Sequence, residues 1–106
     1  MKPQLKNNEI EQILKVIKVH KQVEEAILFG SRATGKSKPN SDVDICLKGK
    51  EITSSIQNSI SSDLDELPLP YFFDVINYTT LNNERLKKHI TEQGINLLQL
   101  SDISIT

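Results

Sequence analysis

The stretch AILFGSRATGKSKPNSDVDICLKG, residues 26–49, decides how the rest of the sequence is interpreted. It passes from a short apolar run through a Gly-Ser turn and a basic loop into a second apolar segment that contains two aspartates. AILF is typical of a strand buried on both faces, and Gly30 ends it. DVDICL, residues 42–47, is predicted to be the next strand. The pattern raises the question of why a core strand carries two carboxylates.

Two amphipathic helices flank this stretch. Apolar residues at helical spacing predict a first helix over residues 8–22, with Asn8 as its N-cap and Glu11 as the capping-box partner. Isoleucine and leucine then recur every fourth residue, which predicts a second helix over about 51–66. Both patterns leave one apolar face on each helix, and these faces are expected to pack against a sheet.

The last third of the chain supplies another strand and another helix. YFFDVINY, residues 71–78, is rich in aromatic and β-branched residues and predicts a third strand. A last helix over about 82–92 ends at Gly94, and the tail INLLQL, residues 95–100, fits both an edge strand and a helical turn. The predicted fold class is α/β (α+β), a small mixed sheet of three to four strands flanked by helices, in a single domain over residues 1–106.

Composition excludes several classes of protein. The 106 residues carry 13 basic and 14 acidic side chains, so a net charge of -1 predicts no attraction to nucleic acid or to a membrane surface. No apolar run approaches the ~20 residues needed to span a bilayer. The single cysteine, Cys46, is expected to be a small buried hydrophobe, and a reducing cytoplasmic setting is the expected location.

Three acidic residues interrupt segments that are otherwise suited to burial. Asp42 and Asp44 are two residues apart in a strand, so they share one face at a spacing of ~7 Å, while Val43 points into the core. Like charges on a buried strand destabilise it unless a cation neutralises them, and oxygen ligands favour Mg²⁺ or Mn²⁺. Asp74 joins them if the second and third strands are neighbours. Three carboxylates in that arrangement could hold two metal ions.

The Gly-Ser turn and the basic loop predict an anion site. Backbone N–H groups after Gly30, the Ser31 hydroxyl and a following helix start are suited to binding phosphate, and Gly30 allows close approach. Each piece alone has an ordinary explanation: a strand end, a solvated loop, or a single acid on an edge strand. Arg32, Lys36 and Lys38 add local positive charge. Together, the phosphate site and the acids indicate a nucleoside-triphosphate site.

The combined motif resembles a known superfamily. Gly30-Ser31, followed after a loop by Asp42-x-Asp44 and later by Asp74, is similar to the pattern of the DNA polymerase beta-like nucleotidyltransferases. GSRATG...SDVDICL and the short length resemble the minimal nucleotidyltransferases that are paired with helical HEPN-domain proteins in toxin-antitoxin systems. The resemblance implies that the three aspartates bind two Mg²⁺ ions and serve catalysis. It also implies that Gly30 and Ser31 hold the β- and γ-phosphates, and that Arg32 contacts phosphate or braces the loop.

The function implied by this resemblance is Mg²⁺-dependent transfer of a nucleoside monophosphate, first of all AMP from ATP, to a hydroxyl on a HEPN toxin. The chain would then act as an antitoxin. Two alternatives stay open: a module that neutralises its partner by binding alone, and the catalytic subunit of a two-component transferase for a small hydroxylated compound. A homodimer and a hetero-oligomer also stay open. His20 and His89 are expected to be helix-face residues without a part in the site.

Overall fold

The computed structural model describes residues 2–100, so Met1 and residues 101–106 of the predicted domain lie outside the described part. Four helices, four strands and one short 3-10 turn follow one another in a mixed order. The strands are β1 (Glu25–Phe29), β2 (Val43–Lys48), β3 (Phe73–Asn77) and β4 (Ile95–Asn96), and the helices are α1 (Asn7–Lys18), α2 (Ser31–Thr34), α3 (Ser54–Asp65) and α4 (Glu84–Gln93), with the 3-10 turn at Tyr78–Thr80.

The four strands form one mixed sheet in the order β3-β2-β1-β4. β1 is antiparallel to both of its neighbours, β2 and β4, whereas β2 and β3 run parallel. This confirms the predicted mixed sheet of three to four strands. Both interpretations of the tail are partly right, because Ile95–Asn96 adds the fourth strand at the edge and residues 97–100 then turn helical.

The two faces of the sheet bury different sets of side chains. On one face Val43, Ile45 and Leu47 of β2 pack in the main core against α1 and α3, as the alternation predicts. On the other face a smaller cluster under α4 contains four buried residues: Ile27, Phe29, Cys46 and Ile90. Asp44 lies on this second face, because it alternates with the core residues of its strand. The fold therefore presents the acids on the side that α4 covers.

The first helix differs from its prediction at both ends. It begins at Asn7 and its N-cap is Lys6, whose backbone N–H donates to a Glu9 carboxylate oxygen at 2.9 Å. The predicted cap, Asn8 with Glu11, is therefore wrong. The Glu9 carboxylate also accepts a hydrogen bond from the Tyr71 hydroxyl, a tertiary contact that only the fold creates.

The first helix also ends earlier than predicted, at Lys18 rather than at residue 22. The prediction that His20 lies on a helix face is therefore wrong. The other helices agree with their predictions within about two to three residues, which is the usual uncertainty of helix ends. Thr53 and Asn83 accept the capping hydrogen bonds of α3 and α4. Within residues 2–100 no helix has the length and apolar character required to cross a membrane.

Candidate active site

Asp44 of β2 and Asp74 of β3 lie opposite each other. The two strands are parallel and these residues are register partners, so both side chains project from the same face of the sheet. Asp44 is half-buried, whereas Asp74 is exposed. The condition set for Asp74 is therefore met: β2 and β3 are neighbours, and two of the three predicted acids face each other at a strand spacing of ~4.8 Å.

Asp42 completes an electrostatic cluster with these two residues. It precedes β2 by one residue and is exposed. The pKa of Asp44 is raised above its usual 3.8, first by burial and then by the negative charges of Asp74 and Asp42. A nearby cation would remove this penalty, because it would favour the ionised carboxylate.

The three carboxylates do not form a closed ligand set. In the part of the chain that the structure describes, no three His, Cys, Asp or Glu side chains are grouped closely enough to hold a metal ion. Two of the three, Asp42 and Asp74, lie in solvent. The donors are nonetheless all carboxylate oxygens, and after burial the charges of Asp74 and Asp42 are the next causes that raise the pKa of Asp44. This chemistry fits a hard divalent cation such as Mg²⁺.

Gly30 brings the Gly-Ser turn into contact with Asp44. Its φ is +75°, in the left-handed region that favours glycine. A Cβ atom at this position would lie 2.5 Å from Oδ2 of Asp44, so the close approach also requires glycine. Ser31 follows as the first residue of α2 and is half-buried. The two predicted parts of the site, the turn and the acid, therefore touch.

Arg32 is buried beneath the loop that joins α2 to β2, with 4% of its surface exposed. Its guanidinium donates to the backbone carbonyl of Ser41 from Nε at 3.1 Å and from Nη2 at 2.9 Å, and to that of Gln4 from Nη1 at 2.7 Å. Longer bonds of 3.4 Å reach the carbonyls of Lys38 and Pro39. Of the two roles considered for Arg32, these contacts support bracing of the loop.

His89 is the residue of this site that sequence reasoning missed. It lies on α4, and its Nε2 atom accepts a hydrogen bond from the backbone N–H of Gly30 at 3.1 Å. The imidazole also meets the ring of Phe29 edge-on, with 6.3 Å between the centroids. Gly30 and His89 are 59 residues apart, so neither spacing nor periodicity could have indicated the contact.

Cys46 shares the strand face of Asp44 and is fully buried in the smaller cluster. Burial is the main cause that raises the pKa of its thiol to about 11. The group is therefore a neutral thiol at neutral pH, as expected of a small buried hydrophobe.

A comparison with protein families decides which family this fold represents. The family model described as polymerase beta, nucleotidyltransferase matches residues 11–103. This chain is a member of the polymerase beta nucleotidyltransferase family. Members act on nucleotides with the aid of a divalent metal, which agrees with the oxygen-only donor set around Asp44. No curated protein matches this nucleotidyltransferase.

Solved structures share its fold. One is a crystal structure of a toxin-antitoxin with AMP-PNP, which is 22% identical, covers 88% of this chain and 73% of its own, and has a TM-score of 0.68. Another is the tri-AMPylated HEPN toxin of Shewanella oneidensis in complex with MNT antitoxin, with 16% identity, 93% and 79% coverage and a TM-score of 0.67. A third, the toxin-antitoxin MntA-HepT, has 18% identity, 87% and 71% coverage and a TM-score of 0.66. At these identities the likeness establishes the nucleotidyltransferase fold.

Proposed function

We propose that this nucleotidyltransferase transfers a nucleoside monophosphate, most directly AMP from ATP, to a hydroxyl group of a HEPN-domain toxin and so acts as its antitoxin. The observation that carries the proposal is the pairing of Asp44 with Asp74 across β2 and β3, with the Gly30 turn in contact with Asp44. A carboxylate pair next to a tight glycine turn suits a reaction that depends on positioning and on charge neutralisation.

The residues of the site divide between metal and phosphate. Asp42, Asp44 and Asp74 would hold two Mg²⁺ ions, and the Gly30-Ser31 turn would bind the β- and γ-phosphates. Ser31 would supply the donors of this turn, because the Gly30 N–H donates to His89. When bound, the ions supply neutralisation of the triphosphate and a lower pKa for the attacking hydroxyl. The raised pKa of Asp44 supports this assignment, because its ionised form is stabilised by a cation in that place.

The proposed reaction is an in-line displacement at the α-phosphorus. The acceptor oxygen forms a bond to that phosphorus while the bond to the bridging oxygen of the pyrophosphate breaks, and pyrophosphate leaves with the electron pair. The proton of the acceptor hydroxyl passes to Asp74 and from there to water. Asp74 is suited to this task because it is exposed and can exchange the proton with solvent.

The identity of the partner is argued from the similar structures. All three contain a toxin together with its antitoxin; one holds AMP-PNP and another an AMPylated HEPN toxin. A HEPN toxin is therefore the proposed acceptor for this chain too. A single copy of this small fold leaves Asp42 and Asp74 open to solvent, which leaves room for a protein acceptor to approach them.

Intact-mass analysis tests the proposal. The purified product of the gene next to this one is incubated with this protein, Mg²⁺ and each of the four nucleoside triphosphates, with Asp44→Asn as the control. A mass increase of one or more nucleoside monophosphates that requires Asp44 is the expected result, greatest with ATP. A stable complex without any mass increase would instead favour neutralisation by binding alone. Transfer to small hydroxylated compounds alone would favour the two-component transferase.

A further inference from the structure

Phe72 presents its ring to solvent on the face of the sheet that carries the acids. It is 82% exposed and directly precedes β3. Its neighbours Tyr71 and Phe73 pack against the main core, so Phe72 projects to the opposite side. Asp74 projects to that side too, and Ile76 packs there in the smaller cluster. The exposed ring and the proposed proton acceptor are therefore alternate residues on one face.

The sheet holds the Phe72 backbone in place. Its carbonyl accepts a hydrogen bond from the N–H of Val43 at 2.9 Å. Val43 is the register partner of Phe73, and extending that register by one residue places Phe72 beside Asp42. The backbone that carries this apolar side chain is thus held by the sheet, beside Asp42 and two residues from Asp74.

Within residues 2–100, the side chains at this end of the sheet face are left exposed, beyond the area that α4 covers. β3 is an edge strand, and the smaller cluster under α4 is centred on β1 and β2, where Ile90 packs with Phe29 and Cys46. Sites for small molecules are concave and bury most of the ligand surface. Asp42, Phe72 and Asp74 are all exposed, so they offer a small acceptor no such enclosure.

The chemistry of the face also favours one class of macromolecule. The net charge of -1 gives no attraction to the phosphate backbone of a nucleic acid, whose binding depends on basic side chains. A polypeptide needs no such charge, and its apolar side chains gain free energy by covering an exposed aromatic ring.

We infer that Phe72 is a contact residue for the acceptor and that the acceptor is a polypeptide. An apolar side chain of this polypeptide covers the Phe72 ring, next to the hydroxyl group that the polypeptide brings to Asp74. The inference rests on the proposed function and adds to it a surface that selects the acceptor. Phe72 binds the acceptor without taking part in the chemical step, so its substitution changes acceptor affinity and leaves nucleotide binding intact.

The test compares Phe72→Ala with Val19→Ala. Val19 is 76% exposed and caps α1, which packs against the opposite face of the sheet. The acceptor is the product of the neighbouring gene, and the rate of transfer to it is measured while the concentrations of acceptor and of ATP are varied in turn. For Phe72→Ala we expect the KM for the acceptor to rise about tenfold and the KM for ATP to stay within twofold. Phe72→Leu should recover most of the loss, and Val19→Ala should behave as wild type.

The outcomes separate this inference from the proposed function. If the wild type is active and Phe72→Ala has an unchanged KM for the acceptor, the contact is overturned but the proposed transferase function is not. A wild type that transfers nothing overturns the proposed function, and calorimetric titration of the same partner then decides the contact. Binding about tenfold weaker for Phe72→Ala than for Val19→Ala supports the contact, whereas equal binding overturns it.

Discussion

The imidazole of His89 and the backbone of Gly30 are joined by a hydrogen bond of 3.1 Å, in which Nε2 accepts and the N–H donates. This bond ties α4 to the turn that follows β1. An accepting Nε2 places the proton of the neutral imidazole on Nδ1. Because Gly30 also touches Asp44, the orientation of the turn at the site depends on a helix near the end of the chain.

Removal of the acceptor at position 89 is expected to loosen the turn. For His89→Leu we expect the KM for the nucleoside triphosphate to rise about fivefold to tenfold with a smaller change in kcat, because one backbone hydrogen bond is lost. His89→Gln, which keeps an acceptor at similar reach, should restore most of the affinity. Steady-state kinetics measure both values.

Lys88→Ala is the matched control, since its side chain is 78% exposed on the same helix. Ile90 keeps α4 in the smaller cluster in all of these variants, so they should remain folded. An unchanged KM in His89→Leu would contradict a positioning role for His89.

Gly30→Ala should impair both stability and transfer. The backbone of Gly30, with φ of +75° and ψ of -154°, costs about 1–3 kcal/mol for a residue with a Cβ atom, and that atom would also lie 2.5 Å from Oδ2 of Asp44. Asp44 must therefore move, and we expect kcat/KM to fall at least about tenfold. Thermal melts and transfer assays measure the two effects.

Gly35→Ala separates these causes. Gly35 has a φ of +82°, yet an added Cβ atom would meet nothing within 4 Å. This variant should lose stability through backbone strain alone and keep nearly full transfer. Equal losses of transfer in Gly30→Ala and Gly35→Ala would argue against the contact with Asp44 as the cause.

Asp44→Asn should abolish transfer and stabilise the metal-free protein at neutral pH. The pKa of Asp44 is raised, so its ionised form destabilises the fold above that pKa, and the penalty disappears as the pH falls through it towards the usual 3.8. Asparagine cannot ionise. In EDTA, the melting temperature of Asp44→Asn should exceed that of wild type by a few degrees at pH 7.

The same difference should shrink towards zero below pH 4, where both side chains are neutral. Asp65→Asn, an exposed change on α3, is the control for a lost charge elsewhere. Transfer by Asp44→Asn should fall about a thousandfold or more. If the difference in melting temperature between Asp44→Asn and wild type grew as the pH fell, the charge of Asp44 would not be what destabilises the fold.

Arg32→Lys should destabilise the protein although the charge is kept. A lysine cannot reproduce the several bonds of the planar guanidinium to backbone carbonyls, nor its stacking 4.3 Å from the centroid of the Tyr71 ring. We expect the free energy of unfolding to fall by about 2 kcal/mol in urea titrations. Lys36→Ala, an exposed change in the same loop, should have almost no effect. If Arg32→Lys unfolded at the same urea concentration as wild type, the bracing role of Arg32 would be contradicted.

Local periodicity was sufficient to predict most of the fold and part of the site. The alternation in β2 predicted which face Val43 and Asp44 would take, because side-chain direction in a strand is a local property. The contact of His89 with Gly30 was beyond such reasoning, because the two residues are 59 positions apart and only the packed fold brings them together. The cap of α1 was missed for a local reason: Lys6 and Glu9 have the same three-residue spacing as Asn8 and Glu11, and spacing alone does not distinguish the two pairs.

The hydrogen bonds from Arg32 to main-chain carbonyl oxygens affect which substitutions the loop can accept. Carbonyl groups are the same in every amino acid, so the bond from Arg32 to the carbonyl of Lys38 does not depend on the side chain at that position. Variants can therefore exchange Lys36 and Lys38, whose side chains are exposed, for acidic or neutral residues and keep these bonds. The charge at the border of the proposed nucleotide site can change in this way, whereas Arg32 cannot be replaced.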